Sequence, residues 1–225
     1  MKTYQAPLQN RTFRWAFRPL FRLAFHILGG VELIGRQNVP PRGPYIITMN
    51  HVSLYDPPFL LSFWPVAPEA AGAVDIWGKP GQGLLVRMYG GIPVHRGEYD
   101  RQVLETMIAV LRAGKPLLLA PEGGRSHVAG MRRAFPGVAY LVDKTAVPVV
   151  PVGIVGTTDD YIQRAVHLQR PRVEMRIGAP VALPAVVGAG AARRAALQAN
   201  ADRIMAAIAA LLPAEYRGIY ESAVG

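Results

Sequence analysis

Residues 147–155 read Val-Pro-Val-Val-Pro-Val-Gly-Ile-Val, and this stretch decides the architecture. It is continuously apolar and largely β-branched, so it has no face for solvent. A strand of that kind is covered on both sides, as the strands of parallel sheets are. Working outward, Val173–Ile177 (VEMRI), Lys115–Ala120 (KPLLLA), Gly91–His95 (GIPVH) and Pro44–Met49 (PYIITM) are further strand candidates. Helices fall between them. Tyr99–Ala113 carries Val103, Leu104, Met107, Ile108 and Leu111 on one face and stops at Gly114. Arg193–Leu212 is a second amphipathic helix, Phe135–Asp143 a third, and Pro57–Phe63 reads as a helix start. Strands alternating with helices predict an α/β fold: a mixed, largely parallel central sheet flanked by helices. The Pro/Gly/Ala-rich stretch at 178–192 reads as a loop, and 216–225 as a loose tail. The chain thus divides into an N-terminal helical segment (1–35), an α/β domain (36–215) and that tail.

Composition narrows the function classes. With 51% hydrophobic and 18% charged residues in 225, the chain can bury a real core and is not disordered. The 25 Lys and Arg outnumber the 15 Asp and Glu, giving +10. Mean hydropathy is nevertheless positive, at +0.17. Nucleic-acid binders are usually basic and polar, so this pairing points to an anionic membrane surface or phosphorylated substrates, and no nucleic acid is expected. There are no cysteines, which excludes disulfides, zinc-thiolate centres and thiol nucleophiles. The longest stretch without a charge, Ile177–Ala192, has 16 residues and two prolines, too short and broken to span a bilayer.

No acidic residue precedes Glu32, and Lys2, Arg11, Arg14, Arg18 and Arg22 give the leader half of the net charge. Arginines interrupt its apolar residues, so it does not read as an export signal. On a helical wheel of residues 11–28, Phe13, Ala16, Phe17, Leu20, Phe21, Leu23, Ala24, Ile27 and Leu28 share one face, opposite the arginines. This is the composition of a helix lying in a membrane interface with its cations toward the head groups. The alternative is an ordinary helix docked on the core with solvated arginines. Pro19 is expected to kink or split the helix.

Sites in such sheets lie beyond the C-terminal ends of strands. Three stretches there carry reactive groups. In Asn50-His51-Val52-Ser53-Leu54-Tyr55-Asp56-Pro57, a strand-to-helix turn lets His51 and Asp56 curl onto each other, and Asp56 is placed to cap the helix. A carboxylate on one ring nitrogen fixes the tautomer and leaves the other free to take a hydroxyl proton. Ser53 reads as a turn former. In Gly90–Arg96, Arg96 ends a strand and suits bidentate capture of phosphate or carboxylate. In Ala120-Pro121-Glu122-Gly123-Gly124-Arg125-Ser126, two glycines permit a sharp turn that exposes N–H groups to an anion, with Arg125 a second anion ligand. Glu122 is read as positioning Arg125 or a substrate hydroxyl.

Taken together, NHxxxxD, GxxxxxR, PEGxRS and VPVVPV stand in an order that resembles the glycerolipid acyltransferases, the 1-acylglycerol-3-phosphate and glycerol-3-phosphate O-acyltransferases. The resemblance runs over about residues 36–156. It implies His51 as catalytic base and Asp56 as its partner. It places Asn50, Arg96, Glu122, Gly123 and Arg125 on the substrate side, and Pro148 and Pro151 toward the acyl donor. It also implies an acyl thioester co-substrate, acyl-CoA or acyl-carrier protein, a lysophospholipid acceptor, no metal and no cofactor. Because the leader does not read as an export signal, a peripheral or monotopic place on the cytoplasmic side of the membrane is expected. The chain departs from the family pattern at Pro93, Ala120 and Gly124, which leaves the acceptor open. A non-phosphate lysolipid acceptor, a thioesterase in which the same pair activates water, and a non-catalytic basic membrane module are the alternatives.

Overall fold

The computed structural model describes residues 4–224 except Arg96, Glu98 and Tyr99. The described residues form one seven-stranded sheet between helices. In chain order the elements are α1 (Leu8–Leu28), β1 (Gly30–Ile34), β2 (Ile46–Met49), α2 (Asp56–Phe63), β3 (Glu69–Ala73), α3 (Gln82–Tyr89), β4 (Ile92–Val94) and α4 (Arg101–Arg112). They continue with β5 (Leu117–Leu119), α5 (Gly137–Thr145), β6 (Val149–Val155), α6 (Tyr161–Val166), β7 (Arg172–Ile177), α7 (Gly190–Ala209) and α8 (Ala214–Arg217). The sheet order is β1-β7-β6-β2-β5-β3-β4. Every neighbouring pair is parallel except β6 and β7. This is the mixed, largely parallel α/β sheet expected. The 147–155 stretch supplies β6, whose first six residues are buried.

The sheet separates two apolar layers. Ile46, Leu117 and Val149 face α4, α5 and α7 on one side. Ile47, Leu118, Val150 and Val152 face α1 and α2 on the other. Alternation along adjacent strands divides the layers, since successive side chains leave opposite faces.

Two expectations are corrected. The C-terminal stretch is not a loose tail: α8 and a 3-10 turn over Gly218–Val224 fold back, and Tyr216 and Tyr220 are buried against α7 and the core. Burying two aromatics stabilises enough to order so short a segment. Nor does Pro19 split the leader, because α1 is a single helix of 21 residues. Proline at 19 removes one helical bond, the one to the Trp15 carbonyl, and both residues lie on the exposed side of the helix.

Three of the four arginines of α1, Arg14, Arg18 and Arg22, turn inward, and Arg11 is exposed. Arg14 is buried, bonded to both oxygens of Glu69 at 2.7 and 2.6 Å and to the Tyr89 carbonyl at 2.8 Å. Tyr4 donates to the same carboxylate at 3.0 Å, and burial beside that charge pushes its hydroxyl up to about 12. Arg18 donates to the Trp64 and Pro65 carbonyls and Arg22 to the Ser62 carbonyl, so both cap the C-terminal end of α2. Those carbonyls lack helical partners and carry the negative end of the helix dipole. Phe17 and Phe25 pack beneath them, whereas Leu8, Trp15, Leu20, Leu23 and Ile27 are each more than half exposed. The apolar sector of α1 is thus wider than the core covers.

Candidate active site

Three adjacent parallel strands deliver their trailing loops to one sheet edge. Thr48 of β2 is in register with Leu119 of β5 and Pro151 of β6. Residues 50–56, 120–127 and 156–160 therefore meet although far apart in sequence.

His51 is held from all sides. Asn50 beside it is buried, and its amide pairs with both backbone groups of Ile154, at 2.9 and 2.7 Å. The His51 N–H donates to Glu122 Oε1 at 2.9 Å, and its carbonyl accepts from the Ser126 N–H at 2.8 Å. His51 Nδ1 lies 2.7 Å from Asp56 Oδ2. The same oxygen accepts the Ser53 N–H at 2.9 Å, and Oδ1 accepts the Thr157 hydroxyl. Asp56 is fully buried, so three donors converge on one desolvated group, which fits a carboxylate. With Nδ1 bonded to that acceptor, Nε2 is left as the ring's proton acceptor. Ser53 acts as the turn former expected, its Oγ accepting the Tyr55 N–H at 3.1 Å. Asp56 is the first residue of α2 and does not cap it; its carboxylate turns back to His51.

Glu122 and Asn50, read from the sequence as substrate-side residues, both bond backbone groups here. Both oxygens of Glu122 hold backbone, the N–H of His51 and that of Arg132 at 2.8 Å, and the residue is buried. Burial raises its carboxyl above the usual 4.5, partly offset by those two N–H groups. Glu122 and Asn50 thus brace the loop that carries His51. Gly123 sits at φ +68, and a Cβ there would lie 2.8 Å from the Phe135 ring, so only glycine fits. Arg125 is partly exposed and shares a cavity of about 760 Å³ with His51 and Gly124. Phe17, Phe21 and Phe25 of α1 also line that cavity. Arg96 lies outside the described residues; β4, two residues before it, ends on the same sheet edge. His127 Nδ1 meets Asp159 at 3.0 Å, an exposed pair that ties the 120–127 loop to the 156–160 loop. Thr157 and Tyr216, whose hydroxyl accepts the Gly156 N–H at 3.0 Å, were not singled out by the sequence pattern.

The arrangement can remove a proton from a group presented at His51 Nε2, hold an anion with Arg125 and accommodate a long apolar chain.

The Acyltransferase family model matches residues 30–155. The 1-acyl-sn-glycerol-3-phosphate acyltransferase alpha of Bos taurus is 26% identical over 157 residues, covering 67% of this chain and 54% of the relative. A lyso-ornithine lipid O-acyltransferase of Pseudomonas aeruginosa is 30% identical over 149 residues, covering 66% and 55%. The chain spans about half the length of these curated relatives. The crystal structure described as the 1-acyl-sn-glycerophosphate acyltransferase PlsC of Thermotoga maritima has the same fold, with a TM-score of 0.61 and 23% identity over 87% of this chain and 79% of that one. A match over more than half of its length, spanning both His51 and the strand that decides the sheet, places the chain in the Acyltransferase family.

Proposed function

We propose that the chain transfers a fatty acyl group from a thioester, acyl-CoA or acyl-carrier protein, to the free hydroxyl of 1-acylglycerol-3-phosphate or a similar lysolipid. The observation that carries this reading is His51, paired with the buried Asp56, in the wall of an apolar cavity. His51 Nε2 takes the hydroxyl proton as the oxygen attacks the thioester carbonyl. Asp56 steadies the imidazolium that forms. The tetrahedral intermediate collapses, the carbon–sulfur bond breaks, and the imidazolium returns the proton to the departing thiolate. Backbone N–H groups hold the oxyanion. Arg125, with Arg96, holds the acceptor's phosphate so that its hydroxyl meets His51. The reaction balances with the two substrates alone.

A lyso-ornithine lipid is the second reading, favoured by the Pseudomonas relative. An ornithine head group carries a carboxylate, which a guanidinium binds as it binds phosphate.

The exposed apolar ridge of α1, backed by a net charge of +10, supports peripheral docking on an anionic membrane, which we place on the cytoplasmic side. No helix among the described residues is long and apolar enough to cross a membrane.

Thiol release from a long-chain acyl-CoA, followed with each acceptor and with none, tests the reading. Transfer should require an acceptor, and His51→Ala should lower kcat by at least about 1,000-fold. Release without acceptor would mean a thioesterase, and a fully active His51→Ala would remove the mechanism.

A further inference from the structure

We propose that Thr157 is a positioning residue for this reaction: its hydroxyl holds Asp56 in the orientation that His51 requires. The proposal rests on the acyl-transfer reading above. Thr157 lies beyond residue 155, where the family match ends.

Asp56 has no access to water, so each of its oxygens depends on protein donors. Oδ2 is occupied by His51 and the Ser53 N–H. Oδ1 takes the Thr157 hydroxyl, the one side-chain donor that reaches it among the described residues. Without that donor the carboxylate keeps one desolvated oxygen unpaired. It then loses its fixed plane, which matters to an imidazolium forming at His51. Thr157 is therefore the outer link of a chain of bonds that runs through Asp56 to the ring.

Thr157 is itself held firmly. It is 1% exposed. Gly156 before it lies at φ +87, and a Cβ there would be 2.0 Å from the Arg172 carbonyl, so the backbone turns in a way open only to glycine. The Gly156 N–H donates to the hydroxyl of Tyr216 in α8, and Tyr216 is buried. Strand β7 and the C-terminal helix thus fix the loop that aims Thr157 at Asp56.

The test compares Thr157→Val and Thr157→Ala, both without the hydroxyl, with Thr157→Ser, which keeps it. Two readouts are used: steady-state kinetics, and the ring N–H resonance of His51 in ¹⁵N-histidine-labelled protein, assigned with His51→Ala. The hydroxyl-free variants should lower kcat about 10- to 100-fold, the scale of one hydrogen bond to a charged group. KM for donor and acceptor should be unchanged, and the His51 Nδ1–H resonance should move upfield. Thr157→Ser should restore both. Alanine adds no bulk and serves if valine disturbs the fold. Wild-type kcat and an unmoved resonance in a folded hydroxyl-free variant would overturn the proposal. So would a serine variant as impaired as alanine, since shape and not the hydroxyl would then matter. If the wild-type chain transfers acyl groups to no acceptor, the function proposed above fails, and the resonance alone decides the role of Thr157.

Discussion

At the scale of single residues, Glu122 shows how a family motif residue works through backbone. Each of its oxygens accepts one N–H, from His51 and from Arg132. Glu122→Gln replaces one acceptor by an NH2 group that meets an N–H head-on, and leaves a buried donor unpaired. We expect kcat to fall about tenfold or more, with acceptor KM little changed, because the loop carrying His51 shifts. A rise in acceptor KM at constant kcat would instead return Glu122 to the substrate. The raised carboxyl gives a pH signature. The folded protein binds this proton more tightly than the unfolded chain, so its contribution to stability is present below 4.5 and is lost as pH rises through the raised value. Melting temperatures of wild type and Glu122→Gln over that range should therefore shift against the wild type as pH increases.

At the scale of elements, α1 has two separable attachments. Inward it is pinned by Arg14 and Glu69, a pair almost wholly removed from solvent. Arg14→Met leaves the Glu69 carboxylate buried without its counter-charge, held only by the Tyr4 hydroxyl, and should cost about 3–5 kcal/mol in denaturant unfolding. Removing the Glu69 charge as well should recover much of that loss, and a double variant no better than the single would deny the coupling. Outward, Leu23 and Ile27 are 58% and 68% exposed. Leu23→Glu with Ile27→Glu should leave the melting temperature within a few degrees of wild type and weaken sedimentation with anionic vesicles about tenfold or more. Unchanged vesicle binding would remove α1 as the docking surface. The C-terminal helix is likewise structural. Tyr220 is buried, and its hydroxyl joins the Ala134 N–H to Asp202. Tyr220→Ala should destabilise by about 3 kcal/mol, which calorimetry would read as a melting point lower by roughly 6–12 °C.

At the scale of the whole molecule, what could be read from sequence divides by the range of the interaction. His51 and Asp56 are five residues apart, so a local turn suffices to pair them, and the pair was legible. Thr157 reaches Asp56 across 101 residues, and no spacing encodes that contact. The strands β2, β5 and β6 declare themselves by apolar runs, whereas β3, Glu-Ala-Ala-Gly-Ala, has no strand preference of its own and exists because β5 and β4 pair with it on either side. The wheel for α1 placed its arginines and phenylalanines at the right angles. It could not show which sector the core would take, because that depends on Glu69 and on the carbonyls ending α2. The buried tyrosines of the last segment carried no signal beyond being aromatic.

The inward contacts of α1 also set an order in time. Every partner its arginines hold, from Ser62 to Tyr89, is made after the helix itself. While the chain is being synthesised, α1 leaves the ribosome with its charged side unanswered until about sixty more residues have followed. Its apolar ridge needs no later residue to be complete. On the docking proposed above, the nascent helix would be free to meet a lipid surface before the sheet exists, with the rest of the protein folding down onto it.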